Sequence, residues 1–510
     1  MLASPGRQSR LWHPALILAA VLATSAWFLY AEHEIAGTWG YSLDDSWIYA
    51  TFAKNLATGH GYSFNPGERI AGATGPLYVF ILAILFRIFG GVVLPAKILG
   101  VLCLSASSLL LYRSAAQVLP GSRVGPLAAG LLLAMSPVLN WGALSGMEIP
   151  VYLLVATLGI HAYTRGRWTL AVFWWSLGVW LRPDGIFLAL VGLFAGPDRS
   201  LKRLAQGASV AGLVIIPYLL FNAAVGHSLL PSSVGIKAHL DGNIPSKEWG
   251  VARQWLEIWG LPLDRNGLPM HAVLLLPAMV VGAALSFRER PALAIYLFGF
   301  PLAFGLIGGG AQYGRYIAHV IPFGILAALI GLDYMFHRAR RRTREWSMIV
   351  VGVFCLAWEG HSAFLVGAAH GWNVQNINGM QRYIAETFHE ICAPGDTVAV
   401  NDVGAMGYFS GCYVVDLVGL VSPLRSFPEN LRVYRPKALA IFPQWFESYA
   451  TIDSLTKQPV FWSPDSVWKY APTVGVKLRK NTVSARNVMY VYERLAPGEE
   501  GDRHVLTVLH

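Results

Sequence analysis

The chain has 510 residues, of which 55% are hydrophobic and 13% charged, and its mean hydropathy is +0.47. That is more apolar surface than one soluble core buries, so a purely soluble fold is excluded and the bilayer is the solvent that the excess requires. The net charge of +10 does not indicate nucleic acid, because Lys and Arg cluster in short links between apolar runs and form no single basic face.

Runs such as Ala15 to Tyr30, Val124 to Leu139 and Ile317 to Leu332 approach the roughly 20 residues that cross about 30 Å of hydrocarbon. The first run follows Arg7 and Arg10, lacks a clear small-residue cleavage site, and reads as a retained first helix with a cytoplasmic N-terminus. Short links rich in Lys and Arg stay on the cytoplasmic side, which places Arg165-Gly-Arg167, Arg199 to Arg203, Arg288-Glu-Arg290 and Arg338 to Arg344 inside. Crossings between them must then be even. The segment after Arg167 therefore predicts two short helices, Trp168 to Leu181 and Gly185 to Gly196, turning outside at Arg182-Pro183-Asp184-Gly185.

The same parity near the start makes Pro76 to Gly90, short and containing Arg87, a helix lying in or re-entering the outer interface. The remaining runs predict about eleven crossings, from the one near 11–30 to the one near 346–369, with the C-terminus outside.

After Gly371 the composition turns polar, enough for one small domain. Gln381 to Ile391 reads as an amphipathic helix and Thr397 to Val400, Tyr413 to Leu417 and Asn487 to Arg494 as strands. The expected fold class is an all-α polytopic membrane domain over 1–370, with a large first outer loop at 31–94, followed by a small extracytoplasmic α/β domain over 371–510. Cys392 and Cys412 are either a disulfide, which would contribute about 3 kcal/mol by loop closure, or two buried thiols.

The chemistry sits in the outward loops. Asp44 and Asp45 are adjacent carboxylates close to a bilayer, and such a pair repels itself unless it binds a cation, a hydroxyl donor or a base partner. Transfer of a sugar to a hydroxyl needs a carboxylate to take the acceptor proton and cations to stabilise the departing phosphate. Asp44, Asp45, Glu68, Glu148 and Asp184 supply the first kind, and Arg69, Arg182, Lys237 and Arg315, beside Tyr316, the second. Blander readings stand beside these: Glu148 as a helix-start acid, Arg182 and Asp184 as a turn pair, and Arg315 snorkelling to headgroups. No phosphate-binding Gly-Lys-Ser/Thr loop, Cys-x-x-Cys pair or His-Glu-x-x-His helix occurs. A divalent cation beside Asp44-Asp45 stays open.

Asp44-Asp45-Ser-Trp-Ile-Tyr49 and Gly59-His-Gly-Tyr-Ser-Phe-Asn-Pro-Gly-Glu-Arg69 resemble the first outer loop of bacterial GT-C-type glycosyltransferases, most of all the branch with mycobacterial terminal arabinofuranosyltransferases. Ser145-Gly-Met-Glu148, Leu181-Arg-Pro-Asp-Gly185, Arg315-Tyr316 and Asn401-Asp-Val-Gly-Ala-Met-Gly-Tyr408 continue it, whereas Ala71-Gly-Ala73 departs from the usual acidic and aromatic pattern. The resemblance implies a polyprenyl-phosphate sugar donor, a glycan or lipid acceptor on the outer side of the bacterial cytoplasmic membrane, and Asp44 first, then Asp45, as the catalytic base. The competing expectation is a lipid-linked sugar flippase, which would place ionisable groups near the bilayer midplane.

Overall fold

The computed structural model describes residues 12–196, 200–231, 255, 270–306, 314–337, 339, 341–393, 395–454, 457–496 and 505–510. The chain opens with α1 (Trp12–Ala36). Then comes α2 (Asp44–Ala57), whose first turn holds both acids of the pair, where the partial positive charge of a helix N-terminus favours carboxylates. The helix α3 (Pro76–Phe89) starts on proline and stops at Gly90, φ 72°, a left-handed C-terminal position suited to glycine.

Beyond it run α4 (Val93–Val118), α5 (Gly125–Met135), α6 (Pro137–Leu144), α7 (Ile149–Thr164), α8 (Trp168–Leu177), α9 (Gly185–Phe194) and α10 (Leu201–Gly226). The bundle ends with α11 (Met270–Glu289), α12 (Pro291–Leu306), α13 (Ile321–Met335) and α14 (Arg341–Ile377).

The expected eleven crossings are corrected here. Among the described residues five helices are long and apolar enough to cross a membrane: Trp12–Ala36, Val93–Val118, Leu201–Gly226, Ala318–Met335 and Arg342–Ile391. A sixth arises if Gly125–Met135 and Pro137–Leu144, bent by 49° at their junction, form one span. The bend has a local cause. Pro137 has no N–H and holds Ser136 out of helical geometry, at φ −53° and ψ 119°. Pro76–Phe89, Ile149–Thr164, Gly185–Phe194 and Pro291–Gly305 are apolar helices of 10–17 residues, which at 1.5 Å per residue reach only about 15–25 Å. The apolar run Val124 to Leu139 does not by itself reveal that Pro137 cuts it.

The helix α14 continues through one π-helical turn, Asn378–Arg382, into α15 (Tyr383–Ile391). The expected boundary at 370/371 thus falls inside one continuous helix, which carries the chain into a mixed sheet. Its strands are β1 (Thr397–Val400), β2 (Tyr413–Asp416), β3 (Ala438–Ile441), β4 (Ala450–Ile452), β5 (Pro459–Trp462), β6 (Lys469–Lys477), β7 (Val488–Leu495) and β8 (Leu506–Leu509), with α16 (Gly404–Phe409) and α17 (Phe427–Tyr434) between them. The order is β2-β1-β3-β7-β6-β5-β4, with β8 on β6. Both neighbours of β1 are parallel to it, and β3 meets β7 antiparallel.

Side chains alternate across this sheet as the pleat requires. Val398, Val400, Val414, Ala438 and Ala440 join the same core as Trp47, Phe52 and Phe64 of the segment between α1 and α3. Ala399, Val415, Leu439 and Ile441 join a separate core around Phe427 and Phe461. One face of the sheet is therefore packed on the loop that carries Asp44 and Asp45. Asn65 fixes that packing, donating from Nδ2 to the Val414 carbonyl at 2.9 Å and accepting the Val414 N–H at 3.0 Å. It completes the free edge of β2.

Cys392 and Cys412 form a disulfide over a sequence separation of 20, while Cys103 and Cys355 are free and buried.

Candidate functional site

The site begins where α2 meets α16. The backbone N–H of Gly404 donates to Asp44 Oδ2 at 2.7 Å and that of Ala405 to Oδ1 at 2.9 Å. A residue of the membrane domain thereby satisfies two N–H groups that begin a helix in the C-terminal part. Only glycine allows the approach: a Cβ on Gly404 would lie 1.9 Å from the Asp44 carbonyl oxygen.

Burial raises the proton affinity of the Asp44 carboxyl, the Asp402 carboxylate and then Asp45 raise it further, and the two N–H donors act the other way, leaving it above the ordinary carboxylate range. Asp402 is itself raised, mainly by burial, with Asp45 and Asp416 adding repulsion. Gln381 Nε2 donates to its Oδ2 at 2.8 Å and Asn401 Nδ2 to its Oδ1 at 3.2 Å.

Two arginines stand beyond the acids. Arg315 Nη2 donates to Asp45 Oδ2 at 2.7 Å, with side-chain exposures of 2% for the arginine and 34% for the aspartate. The same nitrogen donates to the Tyr316 hydroxyl at 2.8 Å. Among the described residues Arg315 Nε and Nη1 are buried and find no hydrogen-bond partner, which leaves a guanidinium with donors in reserve.

Arg182 donates from Nε and Nη2 to Asp184, at 3.0 and 2.8 Å, and from Nη1 to Glu148 Oε1 at 2.9 Å. The Tyr316 ring sits between the two guanidiniums, 4.8 Å from Arg182 Cζ and 4.7 Å from Arg315 Cζ. Both distances suit attraction between a cation and an aromatic face. Beside them Tyr49 Oη lies 2.6 Å from Thr74 Oγ1.

Asp44, Asp45, Glu148, Arg182, Asp184, Arg315 and Tyr316 are therefore linked in one constellation drawn from four stretches of chain. Two expected members stand apart from it. Glu68 is exposed and accepts a hydrogen bond from the Tyr413 hydroxyl at 2.6 Å, and Arg69 is exposed, its backbone bridging to Ser63. Their turn faces the sheet because Asn65 ties it to β2. Lys237 lies outside the described residues. Arg182 and Asp184 do form the turn pair weighed from sequence, but the same guanidinium also reaches Glu148.

Asp402 stands beside these acids although sequence reasoning does not single it out within Asn401-Asp-Val-Gly-Ala-Met-Gly-Tyr408. It follows the carboxyl end of the parallel strand β1, where ligands gather in open α/β sheets; that position is the signal which could have identified it. Among the described residues no three His, Cys, Asp or Glu side chains come together in a way that could hold a metal ion.

Residues 73–221 match the family model for dolichyl-phosphate-mannose-protein mannosyltransferase, and residues 370–490 match a domain of unknown function. No curated protein sequence matches the chain. Among solved structures, apo ArnT from Cupriavidus metallidurans superposes with a TM-score of 0.57 at 14% identity, covering 94% of this chain and 97% of ArnT. The same protein bound to undecaprenyl phosphate gives 0.52 at 14% identity, with the same coverage. AglB from Archaeoglobus fulgidus, an oligosaccharyltransferase in complex with an inhibitory peptide and a dolichol-phosphate, gives 0.57 at 12% identity, covering 85% of this chain and 69% of AglB. The chain thus has the fold of the polytopic GT-C glycosyltransferases.

Proposed function

We propose that this multi-pass membrane protein is a glycosyltransferase that moves a sugar from a polyprenyl-phosphate donor to a glycan or lipid acceptor on the extracytoplasmic side of the bacterial cytoplasmic membrane. The observation that carries the reading is the ion pair of Arg315 with Asp45, the neighbour in sequence of Asp44, whose carboxyl has a raised proton affinity; among the described residues that guanidinium keeps two buried donors without a partner. ArnT bound to undecaprenyl phosphate and AglB bound to dolichol-phosphate, both of this fold, support a lipid phosphate as the donor's carrier.

In this reaction Asp44 accepts the proton of the acceptor hydroxyl, whose oxygen forms a bond to the anomeric carbon of the donor sugar. The bond from that carbon to the phosphate oxygen breaks, and the polyprenyl phosphate leaves with the electron pair. Arg315 stabilises the charge that develops on it, as a fixed donor in a low-dielectric site does best. Asp45 holds Arg315 in place, and Arg182, anchored by Glu148 and Asp184, braces Tyr316 from the other side. A base works best when its proton affinity is raised toward the operating pH, which is what burial and Asp402 do for Asp44. The C-terminal domain lies outside, in line with the positive links inside, and contributes Asp402 and the Gly404 and Ala405 donors. Kinship with the terminal arabinofuranosyltransferase branch rests on the loop motifs and makes a pentofuranose the first donor to try.

The test is sugar transfer by the purified chain from a panel of radiolabelled polyprenyl-phosphate sugars, with Asp44→Asn and Asp45→Asn alongside. Loss of turnover in Asp44→Asn is expected. Native turnover in both variants would sink the assignment of the base, and no transfer from any donor would favour the flippase reading.

A further inference from the structure

Three charged or ionisable side chains from three long helices meet away from the acids and arginines described above. Lys97 Nζ donates to Glu32 Oε2 at 2.8 Å, His370 Nε2 lies 3.0 Å from the same oxygen, and all three side chains are between 0 and 2% exposed. Their remaining bonds run to backbone. Glu32 Oε1 accepts the Gly40 N–H at 3.1 Å, and Lys97 Nζ donates again to the Leu144 carbonyl at 2.9 Å.

Those two backbone groups lie at the entries to the segments that carry the candidate site, one in the loop before α2 and one at the end of α6. Gly40 lies just before Asp44 and Asp45, and Leu144 just before Ser145-Gly-Met-Glu148. The two loops touch directly where Ser46 Oγ donates to the Ser145 carbonyl at 2.7 Å. The Tyr41 ring packs on Gly146, where a Cβ would sit 2.3 Å from it. Gly100, one turn along from Lys97, is packed so closely on Ala143 that a Cβ would meet its carbonyl oxygen at 1.8 Å. Lys97 therefore approaches Leu144 on a helix pair that has no room to slide.

A buried ion pair is poor evidence for stability, since apolar residues of similar volume are often as good or better there. Its better attested use is to specify one register. Here the register is that of two loops.

We propose that Glu32 and Lys97 are positioning residues that hold the loop bearing Asp44 and Asp45 in line with the turn bearing Glu148. The proposal rests on the glycosyltransferase reading for its effect on turnover, but not for its effect on the loops.

The test uses the full chain in lipid nanodiscs. Glu32→Gln combined with Lys97→Met removes both charges together, so neither is left buried and unpaired; the amide oxygen still accepts the Gly40 N–H, and the amide nitrogen donates to His370 Nε2 in its other neutral tautomer. Turnover is expected to fall on the order of 10²-fold, the scale of a misplacement of about 1 Å, with KM for the polyprenyl-phosphate donor changed by less than about twofold. Hydrogen exchange of peptides covering 37–46 and 143–149 is expected to quicken, with the other helices unchanged. Native turnover overturns the proposal, and so does lost turnover with native exchange in both peptides. If the unaltered chain transfers no sugar from any donor, the functional reading has failed and the exchange alone decides: quickened exchange upholds the coupling of the loops, and native exchange overturns it.

Discussion

The two arginines on either side of Tyr316 are expected to fail in opposite ways. Arg182 donates from Nε and Nη2 to Asp184 and from Nη1 to Glu148, and its partners' side chains are only 9% and 1% exposed. Arg182→Met leaves both carboxylates buried without their counter-ion, and breaking such a pair from one side costs about 3–5 kcal/mol. Arg315→Met leaves Asp45, whose side chain is 34% exposed, free to hydrate, so the stability cost is about 1 kcal/mol or less. Turnover should nevertheless drop about 10²–10³-fold, the usual loss when one donor to a developing anion is removed. Buried Cys103 and Cys355 provide the stability assay: a thiol-reactive fluorophore labels them as the bundle unfolds on heating. A large downward shift of the labelling midpoint is expected for Arg182→Met and almost none for Arg315→Met, with transfer measured on the same samples. Equal shifts for the two variants, or near-native transfer by Arg315→Met, would refute the division of roles.

Asp402→Asn removes a negative charge that raises the proton affinity of Asp44, so the acidic limb of turnover against pH is expected to move to lower pH; a limb that stays put removes Asp402 from the site. Because both carboxyls are raised in the folded protein, the native state binds more protons than the unfolded chain above the ordinary carboxylate range. Stability should therefore fall as pH rises through that window, and the slope of the thiol-labelling midpoint between pH 4 and 8 should flatten in Asp402→Asn. Reducing the Cys392–Cys412 disulfide, which spans a sequence separation of 20, should cost about 3 kcal/mol, read as earlier proteolysis of the C-terminal domain. Gly100→Ala places a Cβ 1.8 Å from the Ala143 carbonyl oxygen and should lower the labelling midpoint by prising α4 from α6, whereas Gly352→Ala, with nothing within 4 Å of its Cβ, should leave it unchanged.

Composition alone determined that this chain needs a bilayer, because no soluble core absorbs so many apolar residues. The abrupt turn to polar residues after Gly371, with strand patterns at Thr397 to Val400 and Tyr413 to Leu417, was enough to expect an α/β unit there. The residue types of the candidate site were legible too, since acids beside a membrane are costly enough to stand out at Asp44, Asp45 and Glu148. Span lengths were not legible. Hydropathy sums over a run, while Pro137 acts at a single bond and breaks one apolar stretch into two short helices; the turn at Arg182, by contrast, follows from the charge parity of the flanking links.

Nor could spacing bring Asp45 to Arg315, 270 residues away, or show that Glu68 turns to Tyr413 because Asn65 pairs with Val414. Asp402 comes near Asp44 because the sheet packs one face on the segment bearing α2 and Gly404 has no side chain to hold them apart. A linear pattern reports which side chains are expensive to bury. Which of them offset one another is decided by packing, since electrostatic partnership depends on separations of a few ångströms that only the folded chain defines.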